Sequence, residues 1–314
     1  MDSGKVEQGA KIILYGVGRH GKAIYGFLKS KRHEDIVYGF CDRNARQFIE
    51  YEGKHVWLPE EMKGKGIVYC ITLVDEKIKE EIKNDLGKEA KFIEVSALAD
   101  YIGEDRVAFN RDFCAFYHIK DMDEYFRNAE NSLGRYWNED SIFYHMFQKL
   151  DLSDIIELGC GRGRHVQKYM DNAGEITLVD ILQQNIDMCK ERFRENEHIH
   201  YYKNDGYDLK DLKSESYSAL YTYDAMVHFE MMDIYSYLKD IYRILKKGGR
   251  ALFHHSNNTR DYKYDFSSTP NARNYMSKEL FAYLAYRAGF TVLEQKVIDW
   301  GDEPELDCIS LVEK

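Results

Sequence analysis

Cysteine is sparse in this sequence and never paired: Cys41, Cys70, Cys114, Cys160, Cys189 and Cys308 are scattered with no C-x-x-C spacing. Neither a zinc ribbon nor a dithiol redox site follows from such spacing, and buried free thiols in a reducing cytoplasm are the reading it leaves. Positive charge is also short. Lys+Arg 44 against Asp+Glu 54 gives a formal charge of −10, which works against the broad basic surface that a phosphate backbone requires, so nucleic acid is not an expected partner. The opening "MDSGKVEQGAKIILYG" has no basic segment followed by a long apolar one, and no later apolar run reaches membrane-spanning length. The expectation is a soluble cytoplasmic chain with no membrane partner. Glycine-proline linkers, solenoid repeats and low-complexity tracts are missing as well.

What is present is alternation. At 314 residues the chain has room for two domains, each with its own core. From Lys11, apolar strands ("KIILYG", "IVYGFCD", "GIVYCIT", "AKFIEVS") take turns with amphipathic helices ("GKAIYGFLKSK", "DEKIKEEIKNDLG"), a pattern of parallel strands with helical crossovers. The predicted organisation is α/β with two Rossmann-like domains: residues 1–105, a helical connector over 106–134, and residues 135–314. The second alternation ends in "TVLEQKVID" and "DCISLVEK" with only a tight turn between, which predicts a parallel sheet finished by an antiparallel hairpin. "KKGG", with Gly248 and Gly249, reads as a helix stop before a strand.

Two glycine loops stand out. In "IIELGCGRGRHV" a buried strand meets Gly159, Gly161 and Gly163, and a helix is expected to follow; such a turn lets a ligand approach the backbone closely. No Lys-Ser/Thr pair follows, so a triphosphate loop is not expected. The acid before the turn, Glu157, calls for a cationic or hydrogen-bond-donating ligand such as an amino acid amine. Asp180 ends the next strand, where an acceptor suits a ribose diol. "KNDG" then places Asp205 and Gly206 near an adenine edge. Packing of helix on strand is the alternative use of these glycines.

Carried by "IIELGCGRG", "LVD", "KNDG" and "IYRILKKGGRALF", residues 135 to 314 resemble the class I S-adenosylmethionine-dependent methyltransferases. The resemblance implies S-adenosylmethionine as cofactor: Glu157, Gly159, Gly161 and Gly163 would line its methionine part, Asp180 its ribose, Asp205 and Gly206 its adenine. Ile181 would pack on the adenine ring, and Tyr223 joins the cofactor set. The acceptor would approach over "YTYDAMVHFE" and "FHHSNN". The former is not D-P-P-Y or N-P-P-Y, which argues against planar amino nitrogens as targets. His228 is the candidate general base because imidazole titrates near neutrality, with a capping or positioning role as its alternative. His255 is second choice, since His254 and His255 fall on opposite faces of a strand. A His-His metal site lacks a third ligand, so no metal is expected. Tyr136, Trp137 and Tyr223 either shape the pocket or fill space.

"GVGRHG" is a full G-x-G-x-x-G, with Gly16, Gly18 and Gly21 between strand and helix and Asp42 at the expected distance. Spacing alone predicts a dinucleotide, but the domain is short for one. With "GFCD", "LPEE" and "FIEVS" it is similar to the small Rossmann-like domains of bacterial sugar-modifying and surface-polysaccharide enzymes. That likeness implies a nucleotide-linked sugar at these residues, or else an empty scaffold for docking or dimerisation. The combined expectation is an O-methyltransferase of a small polar, carbohydrate-like acceptor. N-methylation of an amino sugar, a non-catalytic S-adenosylmethionine sensor and an NAD-dependent sugar oxidoreductase are the alternatives; a homo-oligomer stays open.

Overall fold

A computed structural model describes residues 11–119 and 123–314. The chain divides into two compact units. The first runs to Tyr117 and takes in Asp265–Pro270; the second is His118–Tyr264 with Asn271–Lys314.

The first unit is an alternating α/β layer: β1 (Ile12–Tyr15), α1 (Arg19–Ser30), β2 (Val37–Cys41), β3 (Glu50–Tyr51), β4 (Lys54–Trp57), α2 (Pro59–Met62), β5 (Val68–Ile71), α3 (Glu76–Leu86), β6 (Lys91–Ile93), α4 (Leu98–Ile102) and α5 (Arg106–Tyr117). The sheet order is β3-β4-β2-β1-β5-β6, parallel except for the β3–β4 pair. β1 is buried along its whole length, as its unbroken apolar run demands of a central parallel strand. α3 begins where the Asp75 carboxylate accepts from the N–H groups of Lys77 and Ile78. The stretch 106–134, expected as a connector, is split. α5 buries Phe109 and Phe113 edge-on against Phe27 and so belongs to the first core, whereas residues 123–134 lie in the second unit.

The second unit contains α6 (Asp123–Asn131), α7 (Ile142–Phe147), β7 (Asp154–Leu158), β8 (Glu175–Asp180), α8 (Gln183–Arg192), β9 (Ile199–Lys203), β10 (Tyr217–Thr222), α9 (Met231–Ile244), β11 (Leu245–Ser256), α10 (Lys278–Ala288), β12 (Thr291–Trp300) and β13 (Glu303–Glu313). Its seven strands run β12-β13-β11-β10-β7-β8-β9; the pairs from β11 to β9 are parallel and β12–β13–β11 antiparallel, the hairpin ending read from the sequence. α9 buries Ile234, Tyr237, Leu238, Ile241 and Ile244, one stripe at helical spacing, in the core beside Ile156 and Leu158. "KKGG" lies just past that helix, inside the irregular start of β11, where Gly248 has a φ of 76°.

One expectation fails locally. No α-helix follows the second glycine loop; the chain instead makes two short 3₁₀ turns at Val166–Lys168 and Met170–Asn172. His165 and Tyr169 are both drawn inward, the first to the Trp137 indole (Nε1 donating to Nδ1 at 2.9 Å) and the second to Glu157 (3.4 Å).

Candidate active site at the carboxyl edge of the second sheet

In an open α/β sheet the ligand crevice lies beyond the carboxyl ends of the strands where their order reverses. Here that point falls between β7 and β10. The glycine loop leaves β7, with φ of 72° at Gly159, 53° at Gly161 and 71° at Gly163. Gly159 is irreplaceable twice over, because a Cβ there would stand 2.6 Å from the Cβ of Ala225, just past β10. Gly163 has a packing reason as well: its Cβ would meet the Phe193 ring at 2.6 Å.

The loop is pinned by Asp180 at the end of β8. Its Oδ2 accepts from Gly161 N–H at 2.9 Å, and its Oδ1 from Leu182 N–H at 2.9 Å and Asn185 Nδ2 at 3.1 Å. Burial pushes this carboxyl up to about 6, against those donors. Ile181 stands half-buried at the corner of the turn between Asp180 and Leu182. Glu157 is 2% exposed, with the Tyr169 hydroxyl donating to it. Burial raises it to about 7, opposed by Tyr221 and Arg164.

At the end of β9 the buried residue is Asn204, whose N–H donates to Asp180 O at 3.1 Å and whose Nδ2 donates to Tyr237 at 2.6 Å. Asp205 is exposed and engaged by Lys210 at 2.5 Å and Lys203 at 3.6 Å, which hold its carboxyl below the usual range. Gly206 follows, buried, with a φ of 86°. At this edge the enclosed Thr222 Oγ1 and Asn204 Oδ1 have no hydrogen-bond partner among the described residues. Thr222 Oγ1 lies 4.0 Å from where a Gly159 Cβ would be. Orphaned polar atoms beside a left-handed glycine turn are what a nucleoside with an amino acid tail would satisfy, so the residues fit such a cofactor.

The histidines chosen from the sequence are held unlike a base poised near neutrality. His228 turns Nδ1 to the Ala272 carbonyl at 2.9 Å, and burial, then Arg273 and His118, drives its pKa down to about 3. His255 is fully buried and points away from Tyr223: its ring stacks on Phe281 at 4.0 Å, its Nε2 meets Ser310 Oγ at 2.8 Å, and burial lowers it to about 3. Strand alternation sends its neighbour to the other face. His254 stacks on Tyr223 at 4.5 Å, and its Nδ1 accepts from Asp224 N–H at 3.0 Å, which fixes the proton on Nε2, donated to Asp307 at 3.1 Å. Asp307, with no exposed surface, also takes a two-pronged grip from Arg273 at 2.9 and 2.7 Å. Asp224 has a φ of 57°, uncommon for a residue with a side chain, and its carboxylate pairs with Arg164 at 2.8 Å. Sequence reasoning missed Arg164, Asp224, His254, Arg273 and Asp307. The alternation at His254 was its one usable signal.

In the first unit the predicted residues also converge. Asp42 Oδ2 accepts from Val17 N–H at 2.8 Å and Oδ1 from Asn44 N–H at 2.8 Å. A Cβ on Gly21 would stand 2.0 Å from the Gly16 carbonyl oxygen, Gly16 itself has a φ of 109°, and nothing lies within 4 Å of a Cβ on Gly18.

The sequence profile of the methyltransferase domain family matches residues 156–253. No protein of curated function matches the chain. Among solved structures, the chain is similar to geranyl diphosphate C-methyltransferase from Streptomyces coelicolor (12% identity, 65% of this chain and 97% of that one, TM-score 0.49). It is also similar to S-adenosylmethionine-dependent methyltransferases from Mesorhizobium loti (13%, 55% and 97%, 0.46) and Methanosarcina mazei (14%, 54% and 96%, 0.46). The strand order reverses at β7 and β10, the glycine loop is pinned there by Asp180, and residues 156–253 around that point match the methyltransferase domain family.

Proposed function

We propose that the chain transfers a methyl group from S-adenosylmethionine to a hydroxyl of a small polar, carbohydrate-like acceptor. The observation that carries the cofactor half is the pinned glycine loop at the β7–β10 switch point, with Glu157 beneath it and Asp180 beside it. In this reading Gly159, Gly161 and Gly163 line the methionine part and Glu157 ionises against its ammonium. Asp180 receives the ribose hydroxyls, while Ile181, Asp205 and Gly206 border the adenine. The bound cofactor contributes a methyl group already activated on a sulfonium sulfur.

The protein's own work is then to align the acceptor, exclude water and receive a proton. Tyr136 and Tyr223, 4.9 Å apart, and the Arg164–Asp224 pair supply polar and aromatic surface for a hydroxylated acceptor. His228 at about 3 is too weak a base at neutral pH, and His255 faces elsewhere. Asp224, whose carboxylate lies at this surface beside Arg164, takes the proton in this reading. The carbohydrate class rests on the resemblance read from "GFCD", "LPEE" and "FIEVS" in the sequence of the first unit. Incubation with methyl-labelled S-adenosylmethionine and nucleotide sugars, free sugars or glycan fragments tests it. Label in a sugar, lost in Asp224→Asn with S-adenosylhomocysteine binding retained, is the expected result; label only in protein or RNA overturns the acceptor class.

A further inference from the structure

The first glycine loop has its own switch point, between the carboxyl ends of β1 and β5. Thr72, the residue after β5, bridges those ends: its N–H and its Oγ1 both donate to the Tyr15 carbonyl at 2.9 Å. His20, inside the glycine motif, then spans outward. Its Nδ1 faces the Thr72 carbonyl at 2.9 Å and its Nε2 the Ser267 carbonyl at 2.7 Å. Ser267 has no exposed surface; its N–H donates to Asn110 Oδ1 at 3.2 Å and its hydroxyl to Asp265 at 2.8 Å. Phe266 is 1% exposed and sits in the first core, 5.7 Å from the Tyr117 ring. The β5 half of the crevice is thus held by the chain itself, while the space over Gly18 stays open. A dinucleotide needs both halves.

The residues that do this come from an unusual place. Between β11 and α10 lie the 21 residues 257–277, with no helix or strand of their own beyond one isolated bridge, Asn258 to Tyr275. Irregular segments of that length inside a compact protein need an anchor. The tip of this strap, Asp265–Pro270, is counted with the first unit, and the chain on either side of it with the second. Its return arm carries Arg273, which grips Asp307, and Asn274, whose Nδ2 donates to the His228 carbonyl at 2.6 Å.

We propose that the first unit uses its nucleotide-type crevice as the receptor for residues 265–270, latched by His20, and that this anchoring holds the strap in place while excluding a dinucleotide. A domain with the spacing of a cofactor binder therefore takes a segment of its own chain as its ligand. The glycines of "GVGRHG" retain a purpose: they let the loop turn tightly enough to bring His20 over Thr72.

Amide hydrogen exchange on the full chain tests this. In His20→Ala, exchange across 265–270 is expected to quicken about tenfold, the worth of one buried hydrogen bond, and to quicken in the return arm 271–276 as well. His20→Gln, which keeps a donor, should recover part of the protection. Asn110→Ala, which removes the acceptor of Ser267 N–H and leaves the loop intact, should reproduce the change. NAD added to the wild-type chain should give no binding heat at millimolar concentration. Unchanged exchange at 265–270 in both His20→Ala and Asn110→Ala overturns the proposal, as does sub-millimolar NAD binding that leaves that exchange unaltered. S-adenosylhomocysteine titrated into the same variants reports separately on the second unit, so a failure there touches the methyltransferase reading and leaves the latch to be judged by exchange.

Discussion

Replacing Glu157 by Gln should stabilise the ligand-free protein and weaken its hold on the cofactor, both by amounts that follow from burial. The carboxyl is 2% exposed and loses its proton near pH 7, where an ordinary glutamate does so near 4.5. Between those values the folded chain keeps a proton that the unfolded chain has released. Stability therefore falls as pH rises through that window, and the loss is complete above 7. The gap corresponds to about 3 kcal/mol, and at 2–4 °C per kcal/mol for a unit of this size it is worth roughly 6–12 °C in Tm. Glutamine carries no such proton. Glu157→Gln should match wild type at pH 4.5 and exceed it by up to that amount at pH 8, measured by urea melts across the range. With saturating S-adenosylhomocysteine that margin at pH 8 should shrink by about 1.4–2.7 kcal/mol, because the ligand's ammonium pairs with the wild-type carboxylate and not with the amide. Affinity at pH 8 should drop about 10- to 100-fold in the variant, the worth of a charge-assisted hydrogen bond. A stability difference that stays flat between pH 4.5 and 8, or an unchanged affinity, would refute the reasoning.

Other outcomes follow from the same geometry. Asp180→Ala removes the acceptor for Gly161 N–H and Leu182 N–H, and calorimetry should show S-adenosylhomocysteine binding at least about tenfold weaker. Asp307→Asn strands the buried Arg273 charge and should cost about 3–5 kcal/mol, while the double change Asp307→Leu, Arg273→Met should recover most of it in thermal melts. Gly21→Ala forces a methyl to 2.0 Å from the Gly16 carbonyl; the first unit should lose exchange protection while cofactor affinity stays as in wild type. His228→Ala should leave labelled-methyl transfer within about threefold of wild type, since a ring with a pKa near 3 contributes little as a base at pH 7; a hundredfold loss would restore it to that role.

Where the geometry is local in the chain, the sequence made it legible. Glu157, the three glycines after it and Asp180 form one strand–turn–strand unit, and the carboxylate reaches the loop across adjacent parallel strands. The closing hairpin was legible for the same reason. The 3₁₀ turns that stand in place of a helix after the glycine loop were not, and there His165 and Tyr169 are anchored to the distant Trp137 and Glu157. The Arg273–Asp307–His254 relay joins residues 34 and 53 positions apart, brought together only when β13 pairs with β11 and sets His254 beside Ile309. Choosing between His254 and His255 needed the phase of β11, and the core supplied it: Leu252 lies in the cluster under Tyr221 and Tyr223, Phe253 in the opposite one. Nor does any feature of "DYKYDFSSTP" announce that its latter half is counted with a sheet formed some 250 residues earlier.

Both sheets repeat one small device. An aspartate at the end of the second strand accepts from a backbone N–H in the glycine turn with one oxygen, and from the N–H two residues after itself with the other: Asp42 to Val17 and Asn44, Asp180 to Gly161 and Leu182. Each turn is therefore preorganised, and a guest arriving there would spend little of its binding free energy on ordering the backbone. The thermodynamic signature of entry into the second unit should then be that of filling a rigid mould, with a small heat-capacity change and hardly any slowing of association by loop closure.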